Sequence, residues 1–270
     1  EGYTVDCSHQ KSLIPAFIAL AIVGCSSANK TPDTLELSTE VSSQVDTMLF
    51  VENVIVDSMP FIKLQMNPNM SYITMADSVI PSQVDSTIAL CVEAAFTGEL
   101  LKEFKTTNIG GDYVIDGIFH KGYKCRANTG FLYADKSVFT ISSSEHCAEW
   151  IEKATKNNGT LFQQILIIQN GNNVYHGTPI KPTTPNIYRA ACIMNNGNFA
   201  VIQSKEKLSL SDFIGSLIKV GVSDALYLDM GRGWNYGWYR ESSESPAISL
   251  FDYRTPYQTN WLLIKAKEQL

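Results

Sequence analysis

The chain has 270 residues, 44% of them hydrophobic and 18% charged, with a formal net charge of −6. That is long enough for one large globular domain or two small ones with a sizeable core, and the acidic balance argues against a nucleic-acid partner. The six cysteines form no CxxC pair and the four histidines never pair at helical ligand spacing, so neither a metal site nor another cofactor is expected.

The first elements in chain order are not part of a fold. Lys11 precedes an apolar stretch from Leu13 to Val23, which ends in Gly24-Cys25. The stretch is about half of what spans a bilayer, and its order of basic, apolar and small residues before a cysteine reads as a lipoprotein signal over 1–25. A buried helix is the alternative, weakened by Pro15 inside the run. Residues 26–46, rich in Ser, Thr and acids and without aromatics, read as a flexible linker. The expectation is a domain over 47–270 in the bacterial cell envelope, held to the membrane through a lipid on Cys25. Export would place Cys91, Cys125, Cys147 and Cys192 in an oxidising compartment, where three disulfide pairings or buried free thiols remain open.

From residue 47 the texture turns to strands. "TMLFVENVIVDS", "MPFIKLQMN" and "SYITMADSV" are β-branched and aromatic runs bounded by turn residues. "STIALCVEAAF" (86–96) fits a buried strand or a helix, and "DYVIDGIFHKGY" fits strand and turn. "SSEHCAEWIEKATKNNG" (143–159) predicts a helix capped by Ser143 or Ser144. "LFQQILIIQNGNNVYHG" predicts a strand, an Asn-Gly turn and a short second strand. "YRAACIMNNGNFAVIQS" predicts a hairpin about Asn196-Gly197. Residues 209–221 predict an amphipathic helix capped by Ser211, with Phe213, Leu217 and Val220 on one face and Gly221 as the stop. "SDALYLDMG" reads as a buried strand, and "TNWLLIKAKEQL" as the last one. Hairpins with few helices imply an α+β fold: a mostly antiparallel or mixed sheet packed by a few helices, with a cleft at the end of the sheet.

Candidate chemistry concentrates in "ALYLDMGRGWNYGWYR" (225–240). The apolar strand delivers Asp229 to its carboxyl end, and Gly231 and Gly233 let backbone or ligand approach. Trp234, Tyr236, Trp238 and Tyr239 can stack on a sugar ring, Asn235 can hydrogen-bond it, and Arg232 and Arg240 can grip an anion. Arg189, among apolar strand residues, needs a partner, and Asp229 is the natural one. Glu93 in "CVEAAFTGE" is either a carboxyl of raised pKa acting as a proton donor or a solvent-facing strand residue. "CRANTGF" (125–131) offers Asn128. The absence of GxSxG and of a phosphate-binding glycine spacing argues against a serine hydrolase and a nucleotide fold.

The order Arg on a hairpin, Ser-initiated helix, Gly-Val, then a strand ending in Asp-x-Gly, "RAACIMNNGNFAVIQSKEKLSLSDFIGSLIKVGVSDALYLDMG", resembles the phosphodiester glycosidase family, in the branch found as envelope lipoproteins of Bacteroides-type bacteria. The resemblance is strongest over 188–233. Arg189, Asp229 and Gly231 match the family's arginine, strand-end aspartate and following glycine, while Met230 stands where the family usually has Gly and Glu93 where many relatives have Asn. It implies an exported hydrolase that cleaves a sugar from a sugar-1-phosphodiester of the GlcNAc type, with Asp229 at the sugar centre, Arg189 with Arg232 or Arg240 on the phosphodiester, and Glu93 as a candidate acid. The competing expectation is a non-catalytic module binding envelope glycan or an anionic polymer through the same residues.

Overall fold

In the computed structural model, which describes residues 46–97, 109–231, 236–251 and 260–268, the chain opens with an antiparallel hairpin of β1 (Leu49–Val56) and β2 (Met59–Met66). Asp57 and Ser58 form its two-residue loop, both at positive φ (49° and 69°), the backbone twist that matches right-handed strands. β3 (Ser71–Asp77) and β4 (Ile88–Glu93) follow. All six residues of β4 are buried, which resolves the ambiguous run at 86–96 as a strand covered on both faces. β5 (Tyr113–Ile115) and β6 (Ile118–His120) turn on Asp116-Gly117 at φ 47° and 81°. β7 (Gly130–Ala134) and β8 (Phe139–Ser143) form the next hairpin.

The helix expected over 143–159 begins as a 3-10 turn, Ser144–His146, capped by the Ser143 hydroxyl, and continues as α1 (Cys147–Lys156). The strand expected after it divides in two. β9 (Thr160–Gln164) and β10 (Leu166–Gln169) enter different sheets. The break falls at Ile165, whose N–H is taken by the Gln164 side chain at 2.9 Å. Asn170-Gly171, at φ 50° and 73°, then turns the chain into β11 (Asn172–Asn173).

β12 (Pro185–Asn186) leads to the hairpin of β13 (Arg189–Met194) and β14 (Phe199–Ser204). Gly197 N–H bonds the Met194 carbonyl and Met194 N–H the Asn198 carbonyl, with Gly197 at φ 82°, a tight turn followed by a left-handed glycine. β15 (Leu208–Ser209) pairs with β12. That pairing holds Ser209 extended, so Ser209 rather than Ser211 caps α2 (Leu210–Lys219): its hydroxyl accepts from Asp212 N–H at 3.0 Å. Ser211 is already inside the first turn. Gly221, at φ 91°, stops the helix. β16 (Val222–Tyr227), β17 (Gly237–Tyr239), β18 (Ile248–Ser249) and β19 (Asn260–Ala266) complete the described elements.

Every ladder between these strands is antiparallel. A seven-stranded sheet, β1-β2-β14-β13-β16-β10-β11, is the middle layer. One face meets β4 and β19 of the sheet β18-β17-β4-β19-β3, and β7 and β9 of the sheet β6-β5-β9-β7-β8; Leu64, Val201 and Leu226 pack there with Leu90, Leu262 and Phe162. The other face is covered by α2, where Phe213, Ile214 and Leu217 lie on Ala190, Ala200, Ile202 and Ala225. Two covered faces explain the apolar runs Ala190–Met194 in β13, Phe199–Ile202 in β14 and Ala225–Tyr227 in β16. α1 covers the third sheet, with Trp150 packed on Phe131 and Tyr133.

Phe213 touches the rings of Phe61 and Tyr188 at 6.3 and 5.6 Å between centroids, and it is fully buried. Phe213→Ala leaves a cavity under the central sheet and is expected to cost about 3–5 kcal/mol, measured as a lower midpoint in urea at unchanged slope. A loss below about 1 kcal/mol would mean that α2 is not clamped to this sheet.

Candidate functional site

Three strand ends meet at one place. Beyond β16 the chain continues through Leu228 to Asp229, where Leu228 N–H bonds the Arg189 carbonyl at the start of β13 and Asp229 N–H bonds the Ala94 carbonyl just past β4. Side-chain amides reinforce the junction. Gln164 Nε2 donates to the same Ala94 carbonyl at 3.3 Å. Asn260 at the start of β19 accepts from Ala95 N–H at 2.8 Å and donates to Ala95 C=O at 3.1 Å. These contacts fix the backbone on which Glu93 and Asp229 are carried.

Arg189 is fully buried and its guanidinium makes four hydrogen bonds. Nε and Nη2 donate to Gln203 Oε1 at 2.9 and 2.6 Å, and Nη1 donates to Glu93 Oε2 at 2.7 Å and to the Tyr236 carbonyl at 2.9 Å. The expected Arg189–Asp229 ion pair is therefore corrected: the partner is Glu93. The reason is register. Arg189 stands directly across the hairpin from Gln203, and that face turns toward β4 and the start of β17. Glu93 is 2% exposed, which rules out its reading as a solvent-facing strand residue. Burial pushes its carboxyl upward while Arg189 opposes the shift.

Asp229 is 5% exposed and has no ion-pair partner among the described residues. Its Oδ1 accepts from Gly231 N–H at 3.1 Å. Burial raises its pKa to about 7, against the small opposing effect of that one hydrogen bond. The negative charge of Asp229 is also felt by Glu93 and raises it further. The site thus holds two neighbouring carboxyls with different support: Glu93 locked to a cation, Asp229 without one. Such a pair, with environments that separate the two groups, suits proton transfer or the stabilisation of developing positive charge.

Gly231 serves this arrangement by absence. A Cβ placed on it would come within 3.3 Å of Asp229 Oδ1, so the glycine leaves that carboxyl clear. Met230, where a glycine was expected from the resemblance, is buried on the α2 side of the sheet, with its N–H on the Tyr227 hydroxyl and its carbonyl on Asn186 Nδ2. Tyr227 itself is buried among Phe96 and Tyr188.

Other expected site residues lie elsewhere. Arg232, Trp234 and Asn235 fall outside the described residues. Tyr236, Trp238 and Tyr239, expected to stack on a sugar, are buried core residues, because 237–239 form β17 and pair with β4. Arg240 is also buried; it donates to the carbonyls of Gln83 and Ser245 and lies over the Trp238 ring at 5.5 Å. Its charge binds two loops. Asn128 Nδ2 donates to the Gly110 carbonyl at 2.7 Å. His120 stacks on Tyr113 at 4.8 Å. No group of three or more potential metal ligands occurs among the described residues. The four described cysteines are free, and Cys91, Cys147 and Cys192 are buried.

Gln203, Gln164 and Asn260 were not anticipated. Gln203 had a signal: a hairpin centred on Asn196 places Gln203 opposite Arg189, two polar residues at mirrored positions in apolar runs.

No family model matches the chain, and no curated protein matches it in sequence. Solved structures do match in fold. A hypothetical protein from Synechocystis aligns with 13% identity and a TM-score of 0.48, over 81% of this chain and 62% of that one. The catalytic domain of zebrafish N-acetylglucosamine-1-phosphodiester alpha-N-acetylglucosaminidase, auto-inhibited by its pro-peptide, aligns with 11% identity and a TM-score of 0.52, over 85% of each chain. That likeness, extending through most of both chains, gives this protein a phosphodiester glycosidase-like fold.

Proposed function

We propose that the protein is a hydrolase that cleaves the sugar–oxygen bond of a sugar-1-phosphodiester, releasing the sugar and a phosphomonoester. The observation that carries this reading is Asp229: a buried carboxyl with no cation beside it among the described residues, at the end of a central strand, beside a Glu–Arg pair, on this fold. In the proposed reaction the ionised Asp229 faces the anomeric carbon and stabilises its oxocarbenium-like charge. The phosphomonoester that departs is a good leaving group, so little acid assistance is needed. Arg189 is enclosed by Glu93, Gln203 and Tyr236, so its part is revised from gripping phosphate to positioning Glu93. A cleft over Asp229 belongs to this proposal, with Arg232, Trp234 and Asn235 as its proposed sugar and phosphate contacts.

The test is release of free sugar from a synthetic benzyl phosphodiester of N-acetylglucosamine-1-phosphate. Turnover by the wild type supports the reading. Saturable binding of the same compound without turnover would replace it with a glycan-binding module, and neither binding nor turnover would remove both.

The proposed place of action is the bacterial envelope, with lipid on Cys25 as the anchor; no described helix is long and apolar enough to cross a membrane. Cys25→Ser is expected to move the protein from the membrane fraction to the soluble one. Retention of a full-length Cys25→Ser chain in membranes would overturn the anchor.

A further inference from the structure

β1 is an edge strand of the central sheet, with β2 as its one ladder partner among the described residues. Asn67 N–H bonds the Met48 carbonyl on the β2 side, and Leu49 N–H bonds the Glu241 carbonyl on the other. Main-chain groups of an antiparallel strand alternate sides, so Phe50, Glu52, Val54 and Val56 bond β2 while Val51, Asn53 and Ile55 point outward. Their outward N–H and C=O groups have no backbone partner among the described residues. Glu241 closes this free edge at Leu49, and the turn at Asp57-Ser58 closes it at the other end. An open edge is a template for another strand.

The edge is complementary to itself. Placed antiparallel to a second copy, Asn53 stands opposite Asn53, and Val51 opposite Ile55. A shift by two residues sends Ile55 to Leu49, whose N–H is taken, or Val51 to Asp57 in the turn, so this antiparallel register alone pairs all three residues. The side chains agree with it. Ile55 is 75% exposed and Phe50 48% exposed. Ile55 falls opposite Val51, at the margin of the core between the sheets, and Phe50 opposite Val56, at the margin of the core under α2. Glu52, ion-paired to Lys63 in its own chain, falls opposite Val54, so like charges do not face each other. We propose that two copies of this chain pair through β1 about a two-fold axis at Asn53, joining their central sheets. The contact is short, which gives a reversible dimer, and it is independent of the reaction proposed at Asp229.

Sedimentation velocity of the full chain at about 1–100 µM tests it. A monomer–dimer equilibrium is expected in that range. Ile55→Lys puts a charge where the monomer already meets water, so the variant is expected to stay folded and the dimer to weaken about a hundredfold or more. Asn53→Cys is expected to form a disulfide between the two introduced thiols, because the Cα atoms of a directly opposed pair lie about 5.5 Å apart; mass spectrometry identifies the linked peptide. Glu52→Cys, opposite Val54, is expected to form none. A wild type that stays monomeric up to about 100 µM overturns the proposal. A dimer that survives Ile55→Lys, that leaves the Asn53→Cys thiols unlinked, or that links through Glu52→Cys uses another surface or register and overturns it too.

Discussion

Asp229→Asn is expected to lower turnover by orders of magnitude while making the protein more stable at alkaline pH. The side chain keeps its size, but the ionised carboxyl needed beside the anomeric carbon is gone, a loss of about 10²–10⁴-fold in kcat. The stability effect follows from proton linkage. Burial raises the Asp229 pKa to about 7, above the ordinary carboxylate value, so the folded state holds this proton more tightly than the unfolded chain. The contribution is complete below the ordinary value, declines as pH rises and is gone above about 7. At pH 8 the wild type carries a buried charge that burial disfavours, a penalty on the order of 2–4 kcal/mol. The Asn variant does not carry it, so the gap in urea midpoint should open between pH 4 and pH 8. In the wild type, activity should rise as pH passes about 7, and residual activity of the variant should lack that limb. A variant that is less stable at pH 8 yet fully active would make Asp229 a structural turn residue.

Arg189→Met is expected to be the most destabilising change at the site. It leaves Glu93 buried without its cation and Gln203 Oε1 without either donor. Breaking one side of a buried ion pair costs about 3–5 kcal/mol. Adding Glu93→Gln should recover part of that loss, because the orphaned charge disappears; a coupling of about 1–3 kcal/mol is expected between the two positions. Urea unfolding of the two single variants and the double variant measures it. Strict additivity would mean that the pair contributes nothing as a pair. Turnover should fall with Arg189→Met even in the fraction that is folded, since Glu93 loses the group that orients it.

The sequence reading succeeded where local chemistry decides the structure. Asn170-Gly171 and Asp116-Gly117 are turn residues whose positive φ is nearly dictated by their identity, and the α2 apolar face with Gly221 behind it left little choice of element. Strand-end Asp229 was legible because an apolar run ending in a carboxylate must be wetted, paired or shifted in pKa. The partner of Arg189 was not legible. Glu93 and Arg189 are 96 residues apart and belong to different sheets, a contact set by layer packing rather than by spacing. The aromatics of 236–239 misled for a related reason. Their mixture with Gly and Arg resembles a binding loop, yet β17 inserts between β4 and β18 and turns Trp238 into core. Arg240 followed the same strand, and its Nη1 and Nη2 donate to the Ser245 and Gln83 carbonyls. Ser211 lost the cap to Ser209 because the short β12–β15 pairing, invisible in periodicity, holds Ser209 extended.

The most direct measurement is hydrolysis of the benzyl phosphodiester of N-acetylglucosamine-1-phosphate in ¹⁸O-labelled water, with mass analysis of both products. If Asp229 acts at the sugar centre, water attacks carbon, and the label appears in the anomeric hydroxyl of the released sugar while the phosphomonoester stays unlabelled. Label in the phosphate would mean attack at phosphorus, a reaction in which Asp229 has no assigned part, and would contradict the account.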